Sequence, residues 1–254
     1  MEIKNSAPDQ KNNLAYDFFS HAYRSADRTA VWVNGQLWSY KELSVHVSRL
    51  AGWLRSRFPA GGKNIGILAN RSAETYIGLL AALWSGNTYV PLNNKLPAPY
   101  LKSLMVQADV ENLVVDRQTL AILTDPCFKE NHTLTVISPL EFLKAPVELN
   151  LVSPDTIQSV RTLSEPVAVC AEQTAYIIFT SGSTGAPKGI APNVANVAWF
   201  LEATQERYQL QPDDRISQAN DLYWDPSVFD LFSSWKVGAA TYVVPDRQLV
   251  APLH

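Results

Sequence analysis

Apolar positions set the rhythm of this chain. Between residues 39 and 62 they fall at Leu43, Val47, Leu50 and Leu54, the spacing of one helix face. Ser39 stands three residues before Glu42, the spacing of a capping box that opens a helix, and Gly61-Gly62 lies past its end. The run NIGILA has the pattern of a buried strand. SAETYIGLLAALWSG returns to helical spacing, with Tyr76, Leu79, Leu80 and Leu83 on one face. The alternation persists through TYVPL (strand), PYLKSLMVQAD (helix), NLVVD (strand), RQTLAIL (short helix) and TLTVIS (strand). Strands alternating with helices pair in parallel through crossover helices, which predicts a doubly wound α/β architecture. Ahead of this block, AYDFFSHAYR reads as a short amphipathic helix, and AVWV with GQLWSY as a hairpin turned at Asn34-Gly35.

From Ser138 to about Glu172 the pattern weakens, with Pro139, Pro146, Pro154 and Pro166 among polar residues. The expected organisation is a first α/β subdomain at 1–140, an irregular connection at 141–172 in which short edge strands can hide, and the start of a second α/β subdomain at 173–254. In that last part AYIIFT reads as a strand, NVANVAWFLEATQERY as a helix and RISQAN as a strand. PSVFDLFSSWKVG reads as a helix stopped at Gly238, and AATYVVP as a strand. Trp199 and Trp235 sit at helical spacing and read as packing residues.

Composition narrows the function. Hydrophobic residues are 46% and charged residues 18% of 254, ordinary for a globular protein. The net charge of -3 offers no general attraction for nucleic acid or an anionic membrane. Cys127, Cys170 and four scattered histidines give neither a disulfide framework nor metal-ligand spacing. The polar MEIKNSAPDQKNN has no signal-peptide core and no apolar run reaches membrane-spanning length, so the expected location is cytoplasmic.

The candidate chemistry lies in TSGSTGAPKG, residues 180–189. Gly182 and Gly185 free the backbone to turn successive N–H groups toward an anion. Thr180, Ser181, Ser183 and Thr184 add hydroxyls, and Lys188 a mobile positive charge. The spacing fits neither the Walker A pattern nor a dinucleotide fingerprint. A flexible linker explains the composition as well, whereas the preceding buried strand and the lysine favour a polyphosphate cradle.

FTSGSTGAPKGI resembles the phosphate-loop signature of the adenylate-forming superfamily: acyl-CoA synthetases, luciferases and the adenylation domains of peptide synthetases. WSYKEL, LWSGNTYVPLN and DLYWDPSVFDLFSSWKVGAATYVV resemble the family's first, second and fourth core motifs, in order. The resemblance covers about residues 14 to 250. It implies the N-terminal portion of that family's large domain, with two subdomains built on mixed and parallel sheets with flanking helices. In this family a carboxylate attacks the α-phosphorus of ATP and pyrophosphate leaves. The resemblance therefore implies ATP with Mg²⁺, and β- and γ-phosphates touching Thr180, Ser181, Gly182, Ser183, Thr184, Gly185 and Lys188. No metal ligand and no catalytic residue is assigned within these residues.

In the amino-acid-activating branch an Asp at the position of Asp225 receives the substrate's α-ammonium group, with Pro226 and Phe229 as neighbouring walls. Read alone, Asp225-Pro226 is equally a helix N-cap with Pro at N1, while Ser227 followed by Asp230 offers a second cap. Asp230 itself reads as a cap or a solvated side chain.

The match also departs from the family. Val194 stands where many relatives carry a His, Asn93-Asn94 replaces Asp-Pro after Leu92, and Trp224 replaces the commoner Phe. D-alanine–carrier protein ligases also lack that His and look like a near relation. Family members are longer, and their adenine-site motif, ribose-binding Asp and catalytic Lys of a small C-terminal domain find no match here. The expectation is the N-terminal portion of an amino-acid-activating ligase, inactive alone. Its other half would be supplied in cis or trans, and its product passed to a carrier-protein phosphopantetheine thiol. An acyl-CoA or aryl-acid ligase fragment and a non-catalytic nucleotide-binding half-domain stay open beside it.

Overall fold

The structure is a computed structural model that describes residues 6–129, 133–144, 149–180 and 187–250. The chain opens with α1 (Tyr16–Arg24), followed by the antiparallel pair β1 (Thr29–Val33) and β2 (Gln36–Ser39). Asn34 and Gly35 turn the pair with φ of 51° and 81°, as the dipeptide predicts. In α2 (Tyr40–Arg57) the capping box is present in both directions between Ser39 and Glu42.

The strand–helix alternation then appears as read: β3 (Asn64–Ile67), α3 (Ala73–Trp84), β4 (Thr88–Pro91), α4 (Ala98–Gln107), β5 (Val110–Val114), α5 (Arg117–Leu120) and β6 (Thr135–Ile137). Within the expected irregular connection lie an edge strand, β7 (Asn150–Val152), and a one-turn helix, α6 (Pro154–Gln158). Strands β4-β3-β5-β6-β7 form a five-stranded sheet in that order, every pair parallel.

The remaining elements are β8 (Ile178–Thr180), β9 (Lys188–Ile190), α7 (Val194–Tyr208), β10 (Arg215–Gln218), α8 (Pro226–Val228), α9 (Ser234–Val237), β11 (Ala240–Val243) and α10 (Asp246–Val250). A π-helical turn, Phe229–Ser233, joins α8 to α9, and Gly238 ends the run at φ 77° as its stop.

A four-stranded sheet runs in the order β10-β11-β1-β2. Its parallel pair Val31↔Thr241 joins the first and last parts of the chain. The division at 1–140, 141–172 and 173–254 therefore does not follow the sheets, because segments far apart in sequence complete one sheet. Pattern reading assigns strands but not their partners across 200 residues.

Helices α2 and α3 occupy the layer between the two sheets, and every residue of α3 is buried. Their apolar side chains merge with β1, β3 and the Val228–Trp235 segment into one core. A second core on the opposite face of the five-stranded sheet packs Leu101, Leu104 and Met105 of α4 over Leu113, Val115 and Val136. Close approach also decides Gly52 of α2, where an added Cβ would lie 2.3 Å from the Arg161 carbonyl oxygen. Trp235 is buried as read, but Trp199 is 75% exposed on α7. Apolar spacing gave that helix its face without showing whether anything covers it.

Candidate functional site

The phosphate-loop signature begins and ends in the two strands of a β-hairpin. β8 pairs antiparallel with β9, with Thr180 opposite Lys188. Sequence reading passes from strand through loop directly to helix. It misses β9 because Lys188, Gly189 and Ile190 are all exposed and carry no core periodicity. The hairpin is anchored at both ends. Ile177 N–H donates to the Tyr89 carbonyl at 3.1 Å, in a parallel bridge to the β4 edge. The Gln107 side chain of α4 donates to the Pro187 carbonyl at 3.1 Å. Ser181, Gly182, Ser183, Thr184 and Gly185 lie outside the described residues. At the two ends of that segment, Thr180 and Lys188 are exposed, and Lys188 has no ion pair among the described residues.

Asp225 lies at the end of the loop that leaves β10. It takes helical backbone angles and makes no capping bond, so the N-cap alternative fails. Ser227 does not cap either. Its hydroxyl donates to the Trp224 carbonyl at 2.6 Å and the Leu222 carbonyl at 3.2 Å, tying down the turn that carries Asp225. Pro226 at the first helical position has no N–H to satisfy.

The Asp225 carboxylate is exposed, without an ion pair among the described residues, and lines a cavity of about 530 Å³ shared with Thr180, Tyr176, Tyr223 and Trp224. Burial, and secondarily the Asp225 charge, push the Tyr176 hydroxyl above its ordinary pKa, which keeps this wall neutral. The substituted Trp224 forms part of the wall, as its position implies. Pro226 and Phe229 are not among the lining residues, and Phe229 instead sets its ring against Tyr208 with centroids 5.4 Å apart. The structure thus brings together Thr180 and Asp225 of the expected residues, with Lys188 opposite Thr180 on the hairpin.

Asp230 is neither a cap nor solvated. It is buried and accepts hydrogen bonds from the Asn220 side chain and from the backbone N–H groups of Asn220 and Ala219, while burial raises its pKa. Sequence reading also passes over Arg71, 7% exposed and surrounded by Asp221, Asp246 and three backbone carbonyls. The available signal was an arginine between an apolar strand and a largely apolar helix. Burial alone would raise the Asp221 carboxyl, but the Tyr223 hydroxyl and the Arg71 guanidinium outweigh it and hold it below the ordinary value.

Among the described residues no group of three His, Cys, Asp or Glu could hold a metal ion, and no helix is long and apolar enough to cross a membrane. The arrangement is a hydroxyl- and lysine-bearing hairpin beside a mostly apolar cavity with one uncompensated carboxylate.

Comparison with known proteins gives this arrangement a lineage. Residues 18–253 match the family model for AMP-binding enzymes. Syringomycin synthase SyrB1 of Pseudomonas syringae pv. syringae is 30% identical over 241 residues, 94% of this chain and 36% of that protein. The solved structure of IdnL7 superposes with a TM-score of 0.79 at 29% identity, covering 93% of this chain and 46% of that one. FmoA3, a nonribosomal peptide synthetase, superposes with a TM-score of 0.74 at 25% identity, covering 91% and 22%. The chain thus spans less than half the length of each. With the signature hairpin, the ordered motifs and the fold in agreement, the chain belongs to the AMP-binding enzyme family, the adenylate-forming ligases.

Proposed function

We propose that this chain is the N-terminal portion of the large domain of an amino-acid-activating ligase. That enzyme joins an amino acid to ATP as an aminoacyl-adenylate and releases pyrophosphate. The observation that carries this reading is the shared cavity: Asp225, exposed and without an ion pair among the described residues, lines the same space as Thr180 at the root of the signature hairpin. An ammonium group entering that space meets one carboxylate with no competing cation of its own, and forms a charge-assisted hydrogen bond.

In the reaction a substrate carboxylate oxygen bonds to the α-phosphorus while the bond from that phosphorus to the β-bridging oxygen breaks. Both electrons of that bond leave with pyrophosphate. Thr180, Ser181, Gly182, Ser183, Thr184, Gly185 and Lys188 would hold the β- and γ-phosphates, orienting the nucleotide and stabilising leaving-group charge. The exposed Lys188, without an ion pair among the described residues, and the Thr180 hydroxyl fit such a ligand. Mg²⁺ would arrive on the phosphates and neutralise part of their charge, since the described side chains offer no preformed cage for it.

The curated relatives are synthases of which this chain spans about a third or less. We therefore include in the proposal that further parts of the enzyme complete the nucleotide site, and that these 254 residues alone turn over little. A carrier-protein thiol would take the activated acid, in a cytoplasmic setting.

The two ends of the site separate in a pyrophosphate-exchange assay on the protein as its gene encodes it. Asp225→Ala should lower kcat/KM for the amino acid by about 10- to 100-fold, the worth of a hydrogen bond to a charged group. Lys188→Ala should act on the ATP dependence instead. Exchange that is indifferent to both variants would refute the assignment.

A further inference from the structure

We propose that Arg71 is a positioning residue for the loop that presents Asp225, a role that rests on the amino-acid site proposed above. Arg71 follows β3 of the five-stranded sheet, yet its guanidinium reaches the carboxyl ends of β10 and β11 in the other sheet. It donates to the Gln218 carbonyl at 3.3 Å, the Ala219 carbonyl at 2.8 Å and the Val244 carbonyl at 2.6 Å. It also pairs with Asp221 at 2.8 Å and Asp246 at 2.8 Å. A planar fork with five donors is the side chain suited to several carbonyls and carboxylates at once; a lysine ammonium is not.

Two routes lead from this fork to the cavity. Through the backbone, Gln218 and Ala219 begin the loop that ends at Asp225. Through side chains, Asp221 accepts the Tyr223 hydroxyl at 2.5 Å, and Tyr223 lines the cavity beside Trp224 and Asp225. The Trp224 N–H closes the turn on the Asp221 carbonyl at 3.0 Å. Lys95 adds a second, more exposed cation 3.4 Å from Asp221.

The backbone of Arg71 sits at φ 48°, a left-handed conformation that disfavours side chains other than glycine. Its carbonyl accepts the Asn34 side chain at 3.0 Å, from the first hairpin. A strained residue that follows a strand of one sheet and is held by partners from the other marks a place where geometry is imposed.

Arg71→Met tests the role in two ways. Hydrogen exchange on the protein as its gene encodes it should speed by about tenfold or more at the Trp224, Ser227 and Val228 amides, while α3 and β5 amides change by less than about twofold. In pyrophosphate exchange by the protein as its gene encodes it, KM for the amino acid should rise at least about tenfold while KM for ATP stays within about threefold. Arg71→Met with Asp221→Asn removes the more buried of the two carboxylates that lose the guanidinium, and should recover thermal stability but neither the amide protection nor the KM. If Arg71→Met does not fold, Arg71→Lys keeps the charge, loses the multiple carbonyl bonds, and should show the same local pattern.

Recovery of protection and KM in the double variant would overturn the proposal, leaving Arg71 a mere counter-charge. Uniform loosening of the whole sheet would overturn it too, as would an unchanged KM in a protein whose exchange still depends on Asp225. Failure of the amino-acid reading itself would appear separately, as exchange indifferent to Asp225→Ala with the local amide pattern intact.

Discussion

Asp221 and Asp225 are four residues apart in one loop and carry the same side chain, yet their surroundings give them opposite tasks. Asp221 is consumed by Arg71, Lys95 and Tyr223, whereas Asp225 faces the cavity without an ion pair among the described residues. The pH behaviour of Asp221 follows from its lowered pKa. A carboxyl that ionises more easily in the folded chain than in the unfolded one stabilises the fold above its ordinary pKa. That stability is lost as pH falls through the lowered value. Asp221→Asn should therefore flatten the acid side of a melting-temperature profile taken from about pH 6 down to about pH 2. Asp230 acts in the opposite sense, because a carboxyl raised by burial costs stability once pH exceeds its ordinary value. Gly238 is a position where only glycine fits: φ is 77° and an added Cβ would lie 2.6 Å from His21 Nδ1. Gly238→Ala should lower stability by about 1–3 kcal/mol, read as a drop in melting temperature. The glycine's stop function was legible in the sequence; its contact with a histidine more than 200 positions away was not.

Elements with a repeating apolar pattern were read almost as they stand. The Ser39–Glu42 box opens α2, and its two reciprocal bonds satisfy N–H groups the first turn would otherwise leave open. Ser39→Ala should cost about 1 kcal/mol, measured by thermal or denaturant unfolding. Legibility failed where an element has no buried face. β9 is exposed along its length and is held by backbone pairing with β8, which leaves no trace in side-chain spacing. The same limit explains Trp199, whose place on α7 follows the pattern although the residue is exposed. The helix from Pro226 carries a π-helical turn at Phe229–Ser233, and Phe229 faces Tyr208 instead of the cavity. Side-chain directions through a one-residue change of helical register are not contained in a 3.6-residue rule.

At the scale of the molecule, two sheets enclose α2 and α3, and the candidate site lies where loops leave the carboxyl ends of strands. An open parallel sheet places binding loops there by construction. Thr180 approaches from the hairpin at the β4 edge, and Asp225 from the loop after β10, so the cavity needs both sheets in register. Motif order carried the family and singled out Asp225, whose role is the proposal made above. The pairing of β1 with β11 and the Arg71 bridge between sheets depend on contacts across most of the chain, and no local pattern announces them.

The central claim is that the cavity selects a carboxylic acid bearing an amine. It is tested most directly by pyrophosphate exchange, in the protein as its gene encodes it, comparing its best amino acid with the same acid lacking the α-amine. The account predicts that removing the amine lowers kcat/KM by about 10²-fold or more, because Asp225 is left without its partner. Equal exchange with the two acids would contradict it.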